Sequence, residues 1–240
     1  MSLPIWKLEW RLAFRRRRLL YFNVAIPLLL ILPIKLAGAP SFHASAAYAV
    51  LFVLFGTFGS AIPLLREGDG GPLRRMVLSG FPEWAFLAQR VVAGSLLDLL
   101  QLLPALLFIL FPSNLNPGAL LVAAASLALA LLAANLIGVW VAAAAGSIAE
   151  GALFAAVIAL FLLHGSGVFR TPAPGTVGAT FDAILPASPM HETLLGAAGS
   201  GIPTGLIGTL PIPSALTLLL FVVTLLIAPF ILARISAPPR

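Results

Sequence analysis

Polar side chains that could do chemistry are rare in the long apolar stretches of this sequence. Asp98, Asn135, Glu150 and His164 are the main candidates within these stretches or at their ends. A hydrolase or transferase would need at least two such groups within hydrogen-bond reach of one reacting centre. Because the four residues lie at different predicted depths, they do not favour a single site. We therefore predict no catalytic residue in this chain.

Each of the four residues also has a structural interpretation. Asp98 is either a substrate or gating contact, or the partner of Arg90 or of a loop residue. The pair is favoured because an unpaired charge at that depth costs about 2.5–3.5 kcal/mol. Asn135 is expected to hydrogen-bond between helices. Glu150 is expected at a turn as a solvated or loop-paired carboxylate, and His164 at a helix end as a capping or turn-stabilising residue.

The sequence lacks the signatures of nucleotide and metal sites. A P-loop requires Gly-x-x-x-x-Gly-Lys-Ser/Thr, whereas the only lysines, Lys7 and Lys35, follow a tryptophan and an isoleucine. There is no cysteine to supply a thiol nucleophile or a thiolate ligand. His191 and Glu192 are adjacent, but no third ligand is evident. We therefore predict no metal and no cofactor bound by this chain.

Six apolar stretches are long enough to cross a membrane, which takes about 20 residues in a helix. The chain is 60% hydrophobic and 9% charged, which is too few charges to cover a soluble domain of 240 residues. The predicted fold is an all-α integral membrane protein, with residues 1–240 forming one domain. The predicted spans are Leu19–Ala37, Ala44–Leu65, Val91–Phe111, Gly118–Gly146, Ile148–Gly165 and Ser214–Ala233.

The basic residues favour one orientation of these spans. All of the 14 Lys and Arg residues except Lys35 and Arg170 fall on one side when both termini are placed inside. Cationic side chains near span ends resist translocation, so the termini are predicted to be cytoplasmic, in the inner or plasma membrane. The net charge of +6 lies in short clusters beside the spans, which favours the lipid bilayer over nucleic acid as a partner.

Three segments outside the spans have distinctive patterns. Residues 5–18 carry an apolar stripe flanked by tryptophans and a basic opposite face, which predicts an amphipathic helix in the membrane interface. Residues 66–90 form a charged cytoplasmic loop. Residues 166–213 are rich in Gly and Pro yet largely apolar, so we predict short re-entrant helices, Phe181–Leu185 and Pro189–Ala198, folded back against the outer mouth.

The loop of residues 66–90 has an internal pattern of its own. The glycines at 68, 70 and 71 break the second span, and a basic helix starts after Pro72. A second break at Gly80–Pro82 leaves Phe81-Pro82-Glu83-Trp84 as a short turn or helix facing the cytoplasm. Exposed aromatic residues on a rigid turn are good docking anchors.

This arrangement resembles the membrane subunits of type-2 ABC transporters, the ABC-2 permeases. Their second span ends in a Glu-Arg-Glu-x-Gly-Thr-Leu-like run that precedes a basic helix, a break, a coupling helix and the third span. Pro72 stands here where the family has Thr, Gln89-Arg90 where it has Gly-Lys, and the extra glycines depart from the pattern. The residues that fit are Glu67, Leu73, Arg74, Arg75 and Pro82, with the later runs His164–Phe169 and Ile184–Pro189.

The resemblance implies a permease subunit that pairs with a second copy or a homologous permease. A separate ABC ATP-binding subunit would bind ATP and Mg, dock on the loop and drive transport, with export favoured. A haem-exporter-like subunit in cytochrome maturation is the main alternative, followed by an intramembrane enzyme or a non-transporting scaffold. The implied coupling residues are Glu67, Arg74, Arg75, Phe81, Pro82, Glu83 and Trp84.

The resemblance further implies a pathway lined by the first, second and fifth spans. Such a pathway would be apolar with few fixed charges, which suits amphiphilic or hydrophobic substrates better than sugars or ions. The predicted lining residues are Phe22, Asn23, Phe52, Phe55, Phe58 and Phe161.

Overall fold

The computed structural model describes residues 5–15, 17–69, 72–110, 117–198 and 210–236. Within these ranges the chain is all-helical, without strands, as the sequence predicted. The helices are α1 (Ile5–Arg15), α2 (Arg17–Leu36), α3 (Ser41–Asp69), α4 (Pro72–Leu78), α5 (Glu83–Leu110), α6 (Pro117–Ala144), α7 (Ile148–Gly165), α8 (Val177–Ile184), α9 (Ala187–Ala198), α10 (Pro211–Leu226) and α11 (Ala228–Ile235).

Four described helices, α3, α5, α6 and α7, are long and apolar enough to cross a membrane. They correspond to the predicted second to fifth spans, although α5 begins at Glu83, well before the predicted Val91. The apolar part of α2, Leu20–Leu36, is shorter than these four. By length and composition, the described residues therefore supply four spans, or five if the bent pair α10–α11 is counted as one.

The predicted sixth span, Ser214–Ala233, is not one continuous helix. The axes of α10 and α11 differ by 67°, and the break falls at Ile227. Pro229 lies in the first turn of α11, where proline is tolerated because the first amide groups of a helix have no intrahelical acceptor. In a continuous helix the same ring would clash with the carbonyl four residues earlier, so the chain bends there.

Helix α3 is the centre of the bundle and packs against α2, α5, α6, α7 and α9. Its contact with α6 is close because glycines face the opposing backbone. A Cβ atom at Gly138 of α6 would collide with the carbonyl oxygen of Thr57, and one at Gly56 of α3 would lie 2.5 Å from the Cβ of Ala134. Small residues allow membrane helices to pack closely. Close packing strengthens the dispersion attraction between helices, which matters in a bilayer because the hydrophobic effect does not drive helices together there.

The segment after α7 folds back on the bundle through α9. The side chains of Ser126 and Thr193 hydrogen-bond at 2.9 Å, which joins α6 to α9. The ring of His191 lies edge-on to Phe42, at the start of α3. The two short outer elements predicted at Phe181–Leu185 and Pro189–Ala198 correspond to α8 and α9. Whether they re-enter the membrane stays a prediction.

The predicted interfacial helix 5–18 covers α1 and the start of α2. Helix α1 spans Ile5–Arg15, and Arg17 and Arg18 belong to α2. The position of this segment in the membrane interface stays a prediction. Trp10 packs on Phe14, with ring centroids 5.9 Å apart, and helix α1 packs against α5. The first helix therefore lies against the end of the bundle that carries residues 66–90, which we call the loop end.

Candidate functional site

At the loop end, a short turn that contains Gly80 joins α4 to α5. Gly80 has φ of +74°, a left-handed conformation that costs a glycine little. Ser79 donates from Oγ to the carbonyl oxygen of Met76 at 2.6 Å, which closes the last turn of α4. The predicted basic helix after Pro72 is α4. The predicted turn after Gly80 is also present, but Glu83 and Trp84 form the first turn of the long helix α5 rather than a separate short helix.

This turn presents apolar and basic side chains on its outer surface. Leu78 is 76% exposed and Trp84 is 57% exposed. Arg75 and Pro82 are also exposed. Large exposed apolar side chains of this kind supply most of the energy where protein surfaces dock. We call Arg75, Leu78, Pro82 and Trp84 the loop surface.

The remaining predicted coupling residues lie differently. Phe81 is half-buried and packs against the core cluster that includes Leu73 and Phe86, so it anchors the turn from inside. Glu83 is half-buried at the first position of α5, where a carboxylate is stabilised by the helix dipole. Arg74 lies on α4, and its side chain is outside the described part of the structure.

Glu67 forms an ion pair inside the loop end. Its Oε1 accepts a hydrogen bond from Nη2 of Arg90 at 2.9 Å. Arg90 is buried, whereas the Glu67 side chain is 31% exposed. The pair joins the end of α3 to the second turn of α5, on either side of the loop. The next residue after Glu67 is Gly68, and a Cβ atom there would collide with the carbonyl oxygen of Ile235. Helix α11 therefore packs against the end of α3 beside the ion pair.

About two turns further into the bundle, Asp98, Asn135 and Ser60 form a buried polar cluster. Asn135 donates from Nδ2 to Oδ2 of Asp98 at 3.0 Å, and its Oδ1 accepts from Oγ of Ser60 at 2.6 Å. The prediction that Asp98 and Asn135 lie at different depths was therefore wrong. The favoured pairing of Asp98 with Arg90 is replaced by the contact with Asn135. The prediction that Asn135 hydrogen-bonds between helices is confirmed.

A cavity of about 210 Å³ lies beside this cluster, bounded by α1, α2, α3 and α5. Across it, Asn23 donates from Nδ2 to Oε1 of Gln101 at 2.9 Å, which joins α2 to α5. The residues lining the cavity are Leu12, Ala13, Leu20, Asn23, Gly59, Ser60, Pro63, Glu67, Arg90, Gly94, Leu97, Asp98 and Gln101.

Of the six predicted pathway residues, Asn23 lines this cavity and the phenylalanines lie elsewhere. Phe22 and Phe161 are exposed. Phe52 is buried and packs on Tyr48, with ring centroids 5.2 Å apart, and Phe55 packs against the same cluster. Phe58 is half-buried in a smaller cluster between α3, α6 and α7. Two of the five predicted phenylalanines are thus exposed and three pack in the interior. Their role in a pathway stays a prediction.

Glu150 and His164 mark the two ends of α7. Glu150 accepts from the amide of Gly146 at 2.7 Å, while its own amide donates to Oγ of Ser147 at 3.1 Å. This reciprocal capping agrees with the loop-paired carboxylate predicted there. His164 is exposed and, with Arg170 and Phe161, lines a second cavity of about 430 Å³.

Helix α9 carries two titratable side chains whose pKa values are shifted by burial. Burial lowers the pKa of His191, and the charge of Asp182 acts in the opposite direction. Burial raises the pKa of Glu192, and Asp182 raises it further. The Nε2 atom of His191 is buried without a hydrogen-bond partner among the described residues. Within the described ranges, no group of three or more His, Asp or Glu side chains converges.

Sequence reasoning missed three residues at these sites. Gln101 lies one helical turn beyond Asp98 on α5, a spacing of three that could have predicted a shared face. Ser60 follows Gly59 in an apolar stretch and gives no signal by itself. Leu78 ends a basic helix, so its exposure could have been predicted only once the turn at Gly80 was fixed.

The fold and these sites define a multi-pass helical membrane protein with an ion-paired loop end and a polar interior. The model of the ABC-2 type transporter family matches residues 4–196, more than half of the chain. The chain therefore belongs to the ABC-2 type transporter family. A comparison with curated proteins gave no match. Membership makes the chain a transporter permease, which is not itself a catalytic domain, and implies a partnership with an ABC ATP-binding subunit.

Proposed function

We propose that this chain is the membrane half of an ATP-driven exporter for amphiphilic or hydrophobic substrates. A separate subunit would bind ATP and Mg and dock on the loop surface from the cytoplasm. The observation that carries this proposal is the construction of the loop end, where exposed Leu78 and Trp84 sit on a turn joined to the spans through Glu67 and Arg90. A force applied to such a turn reaches α3 and α5 together.

Six spans per chain are part of the proposal. The four long helices become six if α2 crosses the membrane and α10–α11 forms a bent span. Both termini would then be cytoplasmic, in agreement with the side on which the basic residues lie. Helix α11, the second half of the bent span, would end near the loop, because Ile235 packs against Gly68.

A second copy or a homologous permease would complete the pathway. Exposed apolar side chains follow α7 at Leu153, Val157, Leu160 and Phe161, and α2 exposes a further row that includes Phe22. Lipid or a second bundle would cover these faces. ATP-driven closure of two ATP-binding subunits would push the two loop ends together and favour one facing state of the pathway, as a linked two-state transition requires.

Flux through reconstituted vesicles tests this proposal. The chain and its ATP-binding partner, placed together in proteoliposomes, should move a fluorescent amphiphile only with hydrolysable ATP. Vesicles with either protein alone, or with a non-hydrolysable analogue, serve as controls. Equal flux from the chain alone without nucleotide would contradict the proposal.

A further inference from the structure

The cavity beside Asp98 has an unusual charge balance for the interior of a membrane domain. Among the described residues, its lining holds three charged side chains: Glu67, Arg90 and Asp98. Glu67 and Arg90 are ion-paired with each other. Asp98 is 7% exposed and accepts its hydrogen bond from a neutral amide, that of Asn135. The described lining residues thus carry one more formal negative charge than positive charge.

A carboxylate that has no cationic partner among the described residues is costly in this environment. A charged side chain within a bilayer costs about 2.5–3.5 kcal/mol on insertion scales. The amide of Asn135 offsets part of that cost but brings no positive charge. A cation beside Asp98 would lower the energy of the carboxylate directly, because attraction between opposite charges is strong where the dielectric constant is low.

Two glycines on the cavity lining lie against the polar cluster. A Cβ atom at Gly59 would lie 3.0 Å from Oδ2 and 3.2 Å from Oδ1 of Asp98. A Cβ atom at Gly94 would lie 3.1 Å from Oδ1 of Asn135. Both glycines line the cavity. A side chain at position 59 would fill the space directly in front of the carboxylate, so Gly59 leaves room there for a ligand atom.

The rest of the lining selects among cations. The cavity, at about 210 Å³, is several times larger than the roughly 30 Å³ that one water molecule takes up in the liquid. Leu12, Leu20, Leu97 and Pro63 supply apolar walls. A small metal ion would need oxygen ligands on all sides. An organic ammonium ion fits this lining better than a metal ion. Its N–H groups can donate to the carboxylate of Asp98, and its hydrocarbon chain can lie against the apolar walls.

We propose that this cavity binds the ammonium group of an amphiphilic organic cation, with Asp98 as its counter-ion and the apolar walls around its chain. The amide oxygen of Asn23 is a further acceptor on the lining. Assigning this ligand as the cargo rests on the proposed function, and would make the substrates amine-bearing amphiphiles. The binding site itself requires only this chain. Because α1 contributes Leu12 and Ala13, a ligand would enter beneath the N-terminal helix.

Three probes of equal chain length and different charge test the site: hexylammonium, hexanol and hexanoate. Binding is measured by equilibrium dialysis on the full-length chain in lipid nanodiscs, with binding to empty nanodiscs subtracted. Hexylammonium should bind at least about tenfold more tightly than hexanol, and hexanoate most weakly. Asp98→Asn keeps the side-chain shape and should remove the preference for hexylammonium. Glu150→Gln, on α7, which contributes none of the lining residues named above, should keep it.

Several results would overturn the proposal. One is equal binding of hexylammonium and hexanol to the wild-type chain. Another is displacement of hexylammonium by sodium or potassium chloride at the same concentration, which would indicate a site for inorganic cations. If Asp98→Asn fails to fold, Gly59→Ala retains the carboxylate and narrows the space before it. Weaker hexylammonium binding to Gly59→Ala supports the site, and wild-type binding contradicts it.

This experiment separates the binding site from the proposed function. Dialysis uses no nucleotide and no second subunit. If hexylammonium does not bind while the chain still transports with an ATP-binding partner, the cation site is wrong and the permease assignment stands. If hexylammonium binds but no ATP-driven flux is found, the site stands and its assignment to cargo fails.

Discussion

Nη2 of Arg90 lies 2.9 Å from Oε1 of Glu67, and this ion pair joins α3 to α5 on either side of the loop. The contact ties together, as one unit, two helices that are separated along the chain by a glycine-containing connection. In a family whose ATP-binding subunits supply the energy, such a unit would carry a push at the loop into the bundle.

A double-mutant cycle at this pair should show strong coupling. Glu67→Gln and Arg90→Leu should each lower the free energy of unfolding by about 1–3 kcal/mol, less than for a fully buried pair because Glu67 is partly exposed. The double variant should be more stable than the sum of the single losses predicts, by about 1 kcal/mol. Unfolding in detergent micelles, followed by circular dichroism, measures this. Additive losses would show that the pair contributes little.

Asn135 should contribute to stability through the Asp98 and Ser60 contacts. Asn135→Leu removes the donor to Asp98 and the acceptor for Ser60. We expect a loss of about 1–3 kcal/mol in unfolding free energy, because two buried polar groups then lose their partner. Thr180→Ala, at an exposed position of α8, is the control and should stay within about 0.5 kcal/mol of wild type. A stable Asn135→Leu variant would contradict this role.

Gly138 should be intolerant of any side chain. Even Gly138→Ala places a Cβ atom against the carbonyl oxygen of Thr57 and 2.9 Å from the Cβ of Ser60. Separating α3 from α6 should cost about 3 kcal/mol, at the upper end of overpacking effects. Ala125→Leu, on the exposed side of the same helix, adds more volume and should be almost neutral. Thermal unfolding of the two variants compares them, and equal midpoints would show that the α3–α6 contact is loose.

Much of this fold could be predicted from the sequence, because a bilayer imposes length and apolarity on every span. The positions of α3, α5, α6 and α7 followed from that rule. The bend at Ile227 was missed although Pro229 was visible, because a proline also fits inside membrane helices that neighbours support. The pairing of Asn135 with Asp98 could not be predicted, since hydropathy gives the depth of a residue only to within a turn or two.

Helix α9 should detach from the bundle in mild acid. Burial favours neutral His191, so its folded pKa lies below the ordinary value of about 6.5. Below pH of about 6.5, His191 takes up a proton in the unfolded segment but stays neutral in the folded one. The free energy that holds α9 folded against the bundle therefore falls as the pH falls from about 7 towards 5. Limited proteolysis in nanodiscs should show this loss in wild type and not in His191→Phe.

Comparing the wild-type protein with His191→Phe isolates the contribution of His191 to the pH dependence, because Glu192 and Asp182 are present in both. Glu192 acts in the opposite direction, since its raised pKa adds stability at low pH that is lost as the pH rises. His43→Phe, at an exposed position of α3, is the control and should keep the wild-type pH profile. An acid-stable wild type would contradict the burial of a neutral His191.

The most direct test of the account is affinity purification of the full chain, with quantification of any copurified ABC ATP-binding subunit. We expect about one such subunit per permease chain. The pair Leu78→Ala and Trp84→Ala should abolish the association without unfolding the protein, because both side chains are exposed. Phe169→Ala, an exposed position outside the loop end, should keep it. A chain that transports fully on its own, or an ATP-binding subunit retained by the Leu78 and Trp84 variant, would contradict the account.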